Sequence, residues 1–133
     1  MINKPNLEDY KNKPKNFIVH KKKNPLISIV TISKNSEKTI QKTIDSLKKQ
    51  TFKDFEFIII DCNSNDKTIE IIKKNLDIVD VFVSEKDRGP SDGLNKGISL
   101  ARGSLIFWLA SDDWIDINIL SIIEKNFINN NDI

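Results

Sequence analysis

Two aspartates, Asp112 and Asp113, stand side by side straight after an apolar, aromatic run in FWLASDDWI (Phe107 to Ile115). Adjacent like charges repel and resist burial, so a counter-charge or solvent must offset them. Carboxylates gathered with few cations suit a hard divalent ion, Mg²⁺ or Mn²⁺, which takes oxygen ligands and shares them with substrate phosphates. On spacing alone the pair equally caps a following helix in a solvent-facing loop.

Other chemistries find little support. TISKNSEKT contains no glycine, which excludes both the dinucleotide-binding G-x-G-x-x-G and the Walker P-loop after the first predicted strand. The glycines of RGPSDGLNKG come after the third strand at the wrong spacing, and Gly89 reads as a turn position. His20 is the sole histidine and lies in a basic stretch, so a histidine-assisted serine or cysteine nucleophile is not expected, nor is a zinc site. Cys62 is the sole cysteine, which excludes an intrachain disulfide and reads as a small apolar residue in a reducing compartment.

The elements that must carry these residues follow from periodicity. Leu26 to Ile32, Phe55 to Ile60, Ile78 to Ser84 and Ser104 to Ala110 are apolar and β-branched, as strands covered on both faces should be. Between them run helical patterns: Asn35-Ser36-Glu37 starts one with Ile40, Ile44 and Leu47 inward, and Asp66 caps a second with Ile69, Ile72 and Leu76. A third spans Ser91 to Ala101 with Leu94, Ile98 and Ala101 inward, and a fourth resumes around Ile117 with Leu120, Ile123 and Phe127. Strict alternation of strand and helix predicts an α/β domain, a mainly parallel sheet with helices on both faces. Ligands bind such sheets beyond the carboxyl ends of the strands, where this chain places Ser33 to Ser36, Asp61 to Asp66, Glu85 to Asp92 and Ser111 to Asp113.

At 133 residues the chain holds one domain, and 30% charged against 38% hydrophobic residues is a globular balance. Before Asn24, seven lysines face Glu8 and Asp9, so residues 1–24 read as a basic leader and residues 25–133 as the domain. The leader can touch an anionic membrane face weakly; no nucleic-acid partner is expected. No run approaches the length of a membrane helix and the first residues lack a signal-peptide centre, so a cytoplasmic location is expected, peripheral to the inner face of the membrane at most.

ISIVTISKN, FEFIIIDCNSNDKT and VSEKDRGPSDGLNKGISLARGSLIFWLASDD resemble the successive motifs of family 2 glycosyltransferases, GT-A fold enzymes that use nucleotide-diphospho-sugars. The resemblance runs from about Pro25 to Trp114 and implies a GT-A-like, Rossmann-type sandwich, incomplete at its C-terminus. It implies that Thr31 helps seat the nucleoside and that Asp61 accepts a hydrogen bond from the base, selecting uracil. As a cap on the following loop, Asp61 would have a structural role instead. Arg88 is a candidate diphosphate contact, with Asn95 secondary. Asp92 and Lys96, four apart on a helix, share a face and can pair with each other.

Ser111-Asp112-Asp113 sits where the family carries its D-x-D-type metal motif, with Ser in first place and Asp113 the preferred ligand. The implied reaction is inverting transfer of a sugar from a UDP-sugar with Mn²⁺ or Mg²⁺, to an unknown glycan, lipid-linked or protein acceptor. Trp114 is placed to border the sugar or to pack. The family's general base lies well after the metal motif, and here about twenty residues follow it. Asp116 and Glu124 lie in no matching motif, so the chain is expected to hold the donor-binding half, inactive alone or completed by a partner chain. The alternative is a non-catalytic α/β interaction domain whose acids only cap helices.

Overall fold

The computed structural model describes residues 24–130 and the backbone of Phe17–Val19. In chain order the strands are β1 (Phe17–Val19), β2 (Ile27–Ser33), β3 (Phe55–Asp61), β4 (Val81–Ser84) and β5 (Leu105–Trp108). The helices are α1 (Ile40–Lys48), α2 (Thr68–Lys73), α3 (Pro90–Leu100) and α4 (Ile119–Asn129). They form one sheet in the order β1-β4-β3-β2-β5, parallel except for β1, which runs antiparallel to β4 with Phe17 opposite Val83.

Helices cover both faces, as the alternation of elements requires. Ile40, Ile44 and Leu47 of α1, Ile72 of α2 and Leu120 of α4 meet Ile27, Ile29, Phe57, Ile59 and Phe82 on one face. On the other, Leu94, Leu100 and Ala101 of α3 and its end meet Val30, Ile58, Ile60, Val81 and Val83. Alternate residues of β2 and β3 thus enter opposite layers, which is why both strands read as unbroken apolar runs. Gly97 lets α3 approach the sheet closely: a Cβ there would lie 2.4 Å from Val30 Cγ1.

Three expectations change. The FIV run, set aside with the leader, pairs with β4; three residues are too few to show a period. The first helix begins at Ile40 rather than at Asn35 to Glu37. Asn35 takes a left-handed φ of 49°, and the amides of Ser36 and Glu37 donate across to Thr68 Oγ1 and Asp66 Oδ2. The fourth predicted strand, β5, is the sheet edge and is half-exposed. Its Leu105 and Phe107 pack under the α1 layer, whereas Ile106 and Trp108 lie beyond α3 and are 47% and 58% exposed. No helix among the described residues is long and apolar enough to cross a membrane.

Candidate functional site

The carboxyl ends of β2, β3, β4 and β5 all open on one side, because these strands are parallel. A cleft of about 670 Å³ lies there. Its walls are the loop Lys34–Thr39 after β2, Pro90 at the start of α3, and Trp108 to Asp112 at the end of β5. Ile32, Pro90, Trp108 and Ala110 form apolar surface, and Lys34, Lys38, Glu37, Asp66, Ser111 and Asp112 bring charge and hydrogen-bonding groups.

Asp112 reaches this cleft and Asp113 is exposed beside it. Among the described residues neither carboxylate has an ion-pair partner. Asp113 Oδ1 accepts only a long bond from the following Trp114 amide (3.3 Å). Their main chain is held from below: Ser111 Oγ lies 2.8 Å from Ser36 Oγ, and the Asp113 amide closes a turn onto the Ala110 carbonyl. Fixed in backbone and free in side chain, the pair can accept a cation. Among the described residues no cluster of three or more His, Cys, Asp or Glu side chains gathers for a metal. An ion at Asp112 and Asp113 would therefore complete its shell with phosphate oxygens and water, the usual state of protein-bound Mg²⁺.

Asp61 does not face the cleft. It is fully buried at the end of β3, where Oδ1 accepts from Ser33 Oγ (2.7 Å) and Ser64 Oγ (2.6 Å). Its Oδ2 accepts from the Ser64 amide (2.8 Å) and Ser84 Oγ (2.8 Å). Four donors fill the four lone-pair positions of a carboxylate, leaving no acceptor for a base. In this arrangement Asp61 caps the loop that follows β3, and its bonds reach three strand ends. Thr31 likewise points inward on β2, fully buried with its hydroxyl unpartnered.

The expected Asp92–Lys96 pair does not form. Lys96 Nζ bonds Glu85 at 2.6 Å, reaching from α3 back to the end of β4, and Asp92 Oδ2 accepts the Arg88 amide (3.0 Å). The Arg88 side chain is exposed outside the cleft lining. Trp114 is 53% exposed, with Lys42 Nζ 3.5 Å from its ring centroid, so a cation covers one face of the ring.

Two further acids were not nominated as ligand contacts. Asp66 caps the turn into α2 by accepting the Thr68 amide (2.9 Å). Partial burial works to raise its pKa, but the donors on Thr68 and Glu37 outweigh it and hold Asp66 below the usual carboxylate value. Asp87 accepts from the Cys62 thiol (2.9 Å) and the Gly89 amide (2.9 Å). That thiol–carboxylate bond, aided by burial, pushes the Cys62 pKa up, against the lowering influence of Lys34.

A family model for glycosyl transferase family 2 matches residues 28–133, which take in every strand of the cleft. The chain belongs to that family. An uncharacterized glycosyltransferase of Haemophilus influenzae is 38% identical over 94 residues, 68% of this chain and 38% of the relative. The Campylobacter jejuni GalNAc(5)-diNAcBac-PP-undecaprenol beta-1,3-glucosyltransferase is 30% identical over 103 residues, 74% of this chain and 33% of its own. The fold agrees with S. aureus TarS 1–349 in complex with UDP-GlcNAc, with a TM-score of 0.74 and 28% identity over 79% of this chain and 32% of TarS. This family 2 chain therefore has the GT-A-like architecture and spans about a third of the length of these relatives.

Of the residues expected at the site, Asp112 lines the cleft and Asp113 is exposed beside it, while Thr31, Asp61, Arg88, Asp92 and Lys96 lie outside its lining. Polar character after the first strand marked the Ser33–Ser36 wall in advance. Nothing local marked Trp108 as a cleft residue, because a half-exposed edge strand spells the same apolar run as a buried one.

Proposed function

We propose that this family 2 domain binds a nucleotide-diphospho-sugar, a UDP-sugar, in the cleft between the ends of β2 and β5, as part of an inverting glycosyltransferase. The carrying observation is the free Asp112 carboxylate on the cleft rim with Asp113 beside it, in a chain similar to a UDP-GlcNAc-bound structure. The cleft is large enough for a nucleotide, and its Ile32, Pro90 and Trp108 surface offers apolar contact to a flat ring.

Asp112 and Asp113 would hold Mn²⁺ or Mg²⁺. When bound, such an ion supplies positive charge against the departing diphosphate. Lys34 and Lys38 sit in the same cleft and add positive potential for phosphate oxygens. Arg88 lies outside the cleft lining, in the loop between β4 and α3 two residues before Pro90 of the cleft wall, and is a further proposed diphosphate contact. No general base is assigned: Asp116 and Glu124 lie outside the cleft lining. The chain is read as the donor-binding portion, with acceptor and attacking side supplied by other residues of a longer protein or a partner chain.

Calorimetric titration with UDP and Mn²⁺ tests the proposal. Metal-dependent binding that Asp113→Ala weakens at least about tenfold is expected for loss of a charged ligand. Absence of binding, or binding indifferent to the substitution, overturns it.

A non-catalytic interaction domain is favoured by one observation, the open β5 edge with Ile106 and Trp108 uncovered. It predicts concentration-dependent self-association in sedimentation, together with no nucleotide-induced rise in Tm.

A further inference from the structure

The two carbonyls that flank Asp112 in the main chain are both gripped by hydroxyls of one helix face. Thr39 Oγ1 donates to the Ser111 carbonyl at 2.9 Å. Thr43 Oγ1 lies 2.6 Å from the Asp113 carbonyl and 3.1 Å from that of Ser111. A threonine hydroxyl has a single proton. Because Thr39 already serves Ser111, the shorter contact assigns the Thr43 proton to Asp113.

Thr43 is fully buried at this contact, so water cannot replace the bond when the hydroxyl is lost. Threonine is a poor choice for a helix interior on propensity alone. Its neighbours Ile40, Ile44 and Leu47 carry the packing of α1 into the core, which leaves Thr43 with a polar task. The same helix holds the loop further on: Gln50, just beyond α1 and almost fully buried, donates to the Asp116 carbonyl at 2.6 Å and accepts the Leu120 amide at the start of α4. The turn that carries the two carboxylates is thus clamped just before them at Ser111, at the Asp113 carbonyl and beyond them at Asp116, by groups some 70 residues earlier in the chain.

We propose that Thr43 is a positioning residue for the Asp112–Asp113 pair. It fixes the Asp113 carbonyl and, through it, the direction in which both carboxylates leave the main chain. Its functional consequence rests on the donor- and metal-binding reading given above.

The test uses the 133-residue chain with Thr43→Val, which keeps the shape and loses the hydroxyl, and Thr43→Ser, which keeps the hydroxyl. Thr43→Ala serves if the valine variant does not fold. Amide exchange by NMR is followed at Asp113 and across β2 and β3, and Mn²⁺ affinity with UDP present is read by electron paramagnetic resonance. Losing the Thr43 bond to the Asp113 carbonyl should loosen the turn that the Asp113 amide closes onto Ala110 and speed that amide's exchange by about tenfold, while β2 and β3 amides keep their rates. Mn²⁺ affinity should fall by about tenfold in Thr43→Val and recover to within about twofold in Thr43→Ser. Unchanged Asp113 exchange in the valine variant overturns the proposal, as does unchanged Mn²⁺ affinity. If the parent chain takes up no Mn²⁺ with UDP, the donor-binding reading fails by itself, and Asp113 exchange still decides the role of Thr43.

Discussion

Ser84 donates to Asp61 across 2.8 Å, tying the end of β4 to the end of β3 through a carboxylate that no solvent reaches. Ser33 does the same from β2 at 2.7 Å, so one side chain fastens three adjacent strand ends. Asp61→Ala leaves those hydroxyls and the Ser64 amide without an acceptor. We expect a loss of about 3 kcal/mol or more, read as a lowered Tm or denaturation midpoint. A variant with unchanged Tm and abolished UDP binding would return Asp61 to the base-reading role.

Cys62 and Asp87 give a pH-dependent prediction. The thiol donates to the carboxylate, and ionising it would place two negative charges in contact, which is why its pKa is raised. Alkylation by iodoacetamide at pH 8 should be several-fold slower than for an unhindered cysteine, because the thiolate is the nucleophile. Asp87→Asn removes the charge and should speed it. The linkage sign follows: a folded pKa above the unfolded value of about 8.5 stabilises at lower pH, and that contribution is lost as pH rises through the folded value. Slower alkylation in Asp87→Asn than in the parent would refute the assignment.

Gly97 should tolerate no side chain. An alanine Cβ at 2.4 Å from Val30 Cγ1 must push α3 off the sheet or twist a buried β-branched residue. Overpacking of this kind costs about 1–3 kcal/mol in unfolding experiments. Combining Gly97→Ala with Val30→Ala should recover part of the loss, as coupling between contacting residues requires. Strict additivity of the two would show that the contact is not the cause.

Local pattern carried much of this fold into the sequence. Ile40, Ile44 and Leu47 marked the buried face of α1, and the unbroken apolar runs of β2 and β3 marked strands covered twice. What pattern could not carry was partner choice. Lys96 has Asp92 one turn away yet bonds Glu85, because the end of β4 comes closer in space than the helix neighbour does. Asp61 and Asp113 are both acids at strand ends, and only the surrounding serines separate the buried fastener from the exposed carboxylate. Edge or centre is likewise a property of the whole sheet, so LIFW was spelled as core and folded as rim.

The hydrogen bond between Ser36 and Ser111 joins positions 75 residues apart. β2 pairs with β3 across a much shorter connection, the α1 crossover, and can form before β5 is made, whereas the cleft must wait for β5. The wall bearing the carboxylates therefore arrives after the strands it closes onto. Because it sits at the sheet's rim, local opening there would remove binding capacity while the central strands stay folded.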